Sequence, residues 1–440
     1  MILFWNFIKR QIIQALQGDL SVLINKFKKI SPYLLNLPLF ILAIPFVIFI
    51  RLISPVLLIR WCGVLSTRIG HFSANLELYL CEIDSGINLP TQSYYDIFFM
   101  EYQPICNMQL YIMWKRVLRI WPKFILYPIK VVNRLIPGGR AHEIINSCED
   151  RDIHNLYDKT KPHLFFTKEE EERGREGLSK LGIPIDSKFI CLLVRDSAYL
   201  TELSYHSYRD GNIDSYIKAA EEMASRGYYV IRMGVVVNKP MQSQNPKIID
   251  YATNGARDDF MDIYLGAKCT FCISTSSGFD SIPTIFRKPI AFVTVPVAYI
   301  YTFSEKFLSI TKHHMSKIDN HELSLNEIFD NNVAYAMTSK EFEDNEVYLV
   351  ENSPEEIRDL VVEMDDLLNN SWVKKNQLIQ EESNMNFIKN LSNFHHTNEN
   401  SQNKKWKYPS QGSSPDSIIH GSIKSLFSRK FLEKNSFFID

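Results

Sequence analysis

Residues 273–286 read ISTSSGFDSIPTIF, and they put three hydroxyl side chains and a glycine between an apolar run and a helix-like stretch. Thr275, Ser276 and Ser277 are neutral donors, and Gly278 lets a backbone approach a ligand closely. A helix opening just after them offers unpaired N–H groups and the positive end of its dipole. Together these suit a phosphate. The alternative is an ordinary strand-to-helix turn capped by its serines. Neither the G-x-G-x-x-G nor the G-x-x-x-x-G-K-[ST] fingerprint occurs in the chain.

In an open parallel sheet, ligands bind beyond the carboxyl ends of the strands. The apolar run 189–194 ends at Arg195 and Asp196, and the run 228–233 contains Arg232 near its end. Paired hydrogen bonds from either arginine to a diphosphate would neutralise it. The loop YHSYRDGNIDSY at 205–216 leads into a helix on the same rim and carries His206, Tyr208, Arg209 and Asp210. In TRIGHFSANLELY at 67–79, His71 follows one presumed strand and precedes a helix. An unperturbed histidine titrates near neutral pH, so His71 is the candidate general base, with Asp196 and Asp210 next in line. Arg195, Arg209, Arg232, Thr275, Ser276, Ser277 and Gly278 are the candidate anion-binding residues.

The elements that must hold these residues read most clearly over 189–295. Short apolar runs at 189–194, 228–233, 269–274 and 290–295 alternate with helical spacing over 214–226 and 258–267. Such alternation predicts parallel strands with helices on both faces. Upstream, WCGVLS and DIFFM read as strands around a helix at NLELYLCE. The expected fold is therefore α/β, with a smaller α/β domain at 61–165 and a Rossmann-like domain at 166–385. Past about residue 369 the chain turns polar. A flexible insert is expected over 386–417, followed by a helix at 418–440 that crosses back to the first domain. The segment 1–60 is apolar and holds seventeen uncharged residues before Arg51, near the lower limit for a membrane span. Pro38, Pro45 and Pro55 interrupt it. It is expected to dip into one leaflet and return; the alternative is a buried core helix.

The formal net charge of −1 gives no global electrostatic case for nucleic acid. Seven scattered cysteines predict reduced thiols, and the Cys269/Cys272 pair, with no second pair, predicts a buried strand. No Asp-x-Asp stands at a strand end, so no metal is expected.

The blocks RIGHFSANLELYLCE, YRDGNIDSY, GYYVIRMG, DIYLGAKCTFCISTSSGFDSIP and FLEKNSFF, in this order, resemble a family of bacterial glycosyltransferases found with surface-polysaccharide genes. The STSSG block is also similar to the donor-phosphate turn of heptosyltransferases, where an acidic residue precedes the hydroxyl–glycine pair and a histidine follows it. Here Ser274 and residues 280–282 stand at those places. The resemblance implies two Rossmann-like domains facing a cleft (GT-B-like), a nucleotide-sugar donor and metal-independent transfer. The acceptor would be a glycan or lipid-linked, met at the cytoplasmic face of a membrane. Two alternatives are an inactive membrane-associated scaffold and a nucleotide-sugar epimerase.

Overall fold

The computed structural model describes residues 37–144, 152–198, 207–294, 304–336, 338–369, 378–400 and 424–439. The basic amphipathic stretch before residue 37, Cys148, His206, Val295 and the insert past residue 400 lie outside them. The chain divides into two compact units with interleaved segments. One takes residues 1–64, 90–102 and 118–145, the other 65–89, 103–117 and 146–440.

In the first unit, β1 (Leu58–Val64) and β2 (Tyr94–Met100) pair in parallel. Arg60 faces Asp96 in register, and the two form a buried bidentate ion pair at 2.8 and 2.6 Å. The helix Leu37–Ile53 buries only Ala43, Val47 and Ile50, against Leu126, Ile129 and Val132 of the helix Lys123–Arg134. Among the described residues no helix is long and apolar enough to cross a membrane.

The second unit is built on seven parallel strands. They are β3 (Phe189–Leu193), β4 (Tyr229–Met233), β5 (Ile248–Ile249), β6 (Cys272–Ser274), β7 (Ile290–Thr294), β8 (Phe307–Thr311) and, from the C-terminus, β11 (Leu426–Phe427). A separate two-stranded antiparallel sheet pairs β9 (His313–Ser316) with β10 (Val347–Val350). The large sheet runs β11-β8-β7-β6-β3-β4-β5, every neighbouring pair parallel. Along β3, Ile190 and Leu192 enter one core cluster while Phe189, Cys191 and Leu193 enter another. Both faces are covered, so the strand reads as continuously apolar rather than alternating.

Several expectations are corrected. Among the described residues the first unit holds two strands rather than a Rossmann-like domain, because the helices Ile69–Asp84 and Met108–Val117 belong to the second unit. The polar stretch after residue 386 is helical as far as Asn400, in a helix that starts at Leu378. Its buried Gln380, Ser383 and Phe387 recur three to four residues apart, and Gln380 Nε2 donates to the Phe427 carbonyl at 2.8 Å. The C-terminus adds β11 to the large sheet, and Phe431, Leu432 and Phe438 sit in the second unit's core.

Candidate functional site

The strand order places β3 between β4 and β6. From β3 the chain moves outward through β4 and β5, then returns to β6 on the other side. Such a reversal leaves a crevice at the carboxyl ends of the two strands where direction switches. A cavity of about 510 Å³ occupies this position in the second unit, lined by residues after β3, β4 and β6 and by the start of the helix Ile69–Asp84.

The turn after β6 is largely satisfied from within. The Asp280 carboxylate, 2% exposed, accepts the Ser274 hydroxyl and the Ser277 N–H, both at 2.8 Å. The Ser276 N–H donates to Ser274 Oγ, and Thr275 Oγ1 accepts the Arg195 N–H at 2.8 Å. An internal carboxylate therefore stands at the helix start, where a bound anion would gain from the free N–H groups. The left-handed residue of the turn is Ser276 (φ 62°), not Gly278. Gly278 is small for a packing reason: a Cβ there would lie 3.3 Å from the Gly70 nitrogen and 3.4 Å from Ile69 Cγ2. Two helix starts thus meet glycine to glycine. A contact at 2.5 Å between Ser73 Oγ and Ser281 Oγ fastens them. Ser276, Ser277 and Gly278 line the cavity, while the Thr275 hydroxyl is spent inside the fold.

The arginines divide. Arg195 and Arg209 both line the cavity. Burial, and then the neighbouring Arg209 charge, lower the Arg195 pKa. Arg195 pairs with Asp210, and Arg209 Nη1 reaches the Ser276 carbonyl at 3.3 Å. Arg209 Nε is buried with no partner among the described residues. Arg232 is absent from the cavity. It is 1% exposed and donates to the Lys239 carbonyl at 2.7 Å and to Asp250 at 3.1 Å. It sits within β4, not past its end, so its side chain enters the fold.

His71 lines the cavity and belongs to the second unit, not to a separate first domain. Its Nδ1 is buried without a partner among the described residues. Asp196 also lines the cavity, but its two oxygens accept the N–H groups of Ala198 (3.0 Å) and Asn238 (2.8 Å). Asp210 is held by Arg195 and is not part of the lining.

Sequence reading missed Arg257 and Asp262, which face the same cavity. Asp262 accepts from Arg257 at 2.6 Å, and Arg257 Nε is buried and unpartnered among the described residues. Burial pushes the Asp262 carboxyl up to about 6, against the pull of Arg257. The only sequence signal was an aspartate three residues inside a helix start, which elsewhere serves the dipole. Tyr157 also lines the cavity with its buried hydroxyl unpartnered among the described residues.

Among the described residues one cluster has metal-ligand chemistry. Ligand atoms of Glu77, Cys81 and His163 lie within 4.8 Å of one another. Arg287 already donates to Glu77 Oε1 (2.7 Å) and Cys81 Sγ (3.4 Å). Burial opposes charge on His163, but hydrogen bonds with Cys81 and Glu77 prevail and raise it to about 10. Two cations thus occupy the space a metal would need.

No family model matches the chain, and no curated protein matches it. Among solved structures it is similar to a family 9 glycosyl transferase from Veillonella parvula, with 10% identity and a TM-score of 0.41, covering 71% of this chain and 97% of that one. It is also similar to E. coli ADP-heptose LPS heptosyltransferase II, with 11% identity and a TM-score of 0.38, covering 72% and 100%. The glycosyltransferase TibC of enterotoxigenic E. coli matches at 11% identity and a TM-score of 0.35, covering 72% and 78%. Likenesses at this level decide nothing about activity.

Proposed function

We propose that this protein is a glycosyltransferase that moves a sugar from a nucleotide-sugar donor to a glycan or lipid-linked acceptor in surface-polysaccharide synthesis. It would work without a metal, at the cytoplasmic face of a membrane. The observation that carries this reading is the cavity at the β3/β6 switch point, where Arg195 and Arg209 crowd two guanidinium groups against a wall that also holds His71. Asp210 already pairs with Arg195, so the capacity left for a ligand is the Arg209 guanidinium, whose Nε–H has no partner among the described residues and suits a negatively charged group. A diphosphate leaving group fits that demand.

In this reading the acceptor hydroxyl oxygen forms a bond to the anomeric carbon, and the bond from that carbon to the diphosphate oxygen breaks. The electron pair leaves with the nucleoside diphosphate, where Arg195 and Arg209 hold the developing charge. The hydroxyl proton passes to His71. Asp262 is the competing base, because it is a buried carboxyl titrating near 6 in the same cavity.

A thermal-shift screen of UDP-, GDP-, CMP- and dTDP-sugars should find one that raises the melting temperature by mass action. His71→Ala should then bind that donor normally yet turn over about a hundredfold slower. Donor consumption without any acceptor, giving an isomeric sugar nucleotide, would favour an epimerase. No shift with any sugar nucleotide would remove the reading.

A further inference from the structure

In the first unit, the buried side of the helix Leu37–Ile53 is a single stripe, Ala43, Val47 and Ile50. The opposite face carries Ile41, Leu42, Phe46, Phe49 and Leu52, each 58–73% exposed. At about 100° per residue these five fall within an arc of roughly 140°, centred opposite the stripe. The helix contains no acidic residue. The apolar surface continues onto the neighbouring helix Lys123–Arg134 and its ends, where Phe124, Leu135 and Trp121 are also exposed. Phe40 and Tyr127, with ring centroids 6.5 Å apart, join the two helices. A contiguous apolar patch of this kind marks an interaction site.

Charge says what covers it. The described residues of this unit include seven bases and three acids. All three acids are already paired: Asp96 with Arg60, Glu101 with Lys130 and Glu143 with Arg134. Arg51, Arg119, Lys123 and Arg140 have no carboxylate partner among the described residues. A second copy would bring the same uncompensated positive charge to the contact and repel. An anionic lipid surface takes both features at once, with apolar side chains in the acyl boundary and bases at the headgroups. Trp121 beside Lys123 is the residue pair expected at that boundary.

We propose that the exposed face of the helix Leu37–Ile53, with Trp121 and Phe124, is a docking surface for anionic bilayers. The proposal does not depend on the chemistry of the cavity.

The test is flotation of the full chain with vesicles of phosphatidylcholine alone and of phosphatidylcholine with about 30% phosphatidylglycerol, whose negative surface potential is screened by salt. The chain should float with the anionic vesicles, less so in high salt, and at least tenfold more than with the neutral ones. The triple variant L42S/F46S/F49S should lose that binding with little change in melting temperature, since the three side chains are each 60–61% exposed. The single variant I41E, which adds a repelled charge at an exposed position, should lose much of it and serves if the triple variant fails to fold. Undiminished flotation of both variants, or equal binding to neutral vesicles, overturns the proposal. So does a dimer that the triple variant dissociates in the absence of lipid.

Discussion

Two turns at the sheet's switch point, one after β3 and one after β6, make opposite use of polar groups. The turn after β6 has the composition associated with phosphate binding, yet its donors are mostly consumed by Asp280 and by its own hydroxyls. The chain after β3 has an unremarkable composition, yet it brings two guanidinium groups to the cavity, Arg195 paired with Asp210 and Arg209 with its Nε unpartnered among the described residues. What distinguishes a ligand site is hydrogen-bonding capacity left over after the fold has taken its share. The presence of donors in the sequence does not measure that.

Arg232 tests the comparison from outside, because it is a rim arginine by sequence and a core residue by position. Arg232→Ala should lower stability by about 3 kcal/mol, since it removes a fully buried side chain and its charged hydrogen bond to half-buried Asp250, which keeps only the Met241 N–H. The fraction that remains folded should bind nucleoside diphosphate unchanged. Denaturant unfolding paired with titration reads both. A stable variant with weakened binding would return Arg232 to the site.

Asp262 gives the next effect and a pH signature. Its folded pKa is raised from 3.8 to about 6. Below pH 3.8 the carboxyl is protonated in both states and makes no difference. As pH rises toward 6 the folded state holds the proton that the unfolded state has lost, so stability falls, and the full cost persists above pH 6. A shift of about two units corresponds to about 3 kcal/mol. Asp262→Asn should therefore gain stability relative to the unaltered chain by about that amount at pH 8, with little change at pH 4. Thermal melts at the two values check it, and a gain that does not grow with pH would mean the Arg257 pair dominates.

Gly278→Val sharpens the other side. The added side chain meets Gly70 and Ile69 before it meets any ligand, so overpacking should cost about 1–3 kcal/mol of stability. Blocked binding with full stability would instead make Gly278 a ligand contact. Ser276→Gly should have the smallest effect, within about 1 kcal/mol, because it relieves the left-handed backbone but loosens the unfolded chain.

The parallel strands were legible because burial on both faces leaves short, uninterrupted apolar runs. β11 was not legible, because two residues carry no periodicity and its place depends on Leu308 and Ser309, more than a hundred residues away. The helix Leu378–Asn400 was obscured by polar residues that satisfy one another inside, such as Gln380. His71, Arg195 and Arg209, read from their positions at element ends, all line the cavity. Arg257 and Asp262 line it too, but burial and mutual pairing bring them there, which sequence position does not reveal. The role of Asp280 was hidden for the same reason, since a carboxylate in sequence does not reveal which N–H groups it already occupies.

The central claim is that the anion is held by the β3 side of the switch point. It is tested most directly by calorimetric titration of ADP, UDP, GDP and dTDP into the unaltered chain, Arg209→Ala and Ser277→Ala. For whichever nucleotide binds, Arg209→Ala should weaken affinity by about 1.5–3 kcal/mol, the worth of a charged hydrogen bond, while Ser277→Ala should change it by less than about 0.5 kcal/mol. The reverse order, with Ser277→Ala crippling binding and Arg209→Ala leaving it intact, would contradict the account.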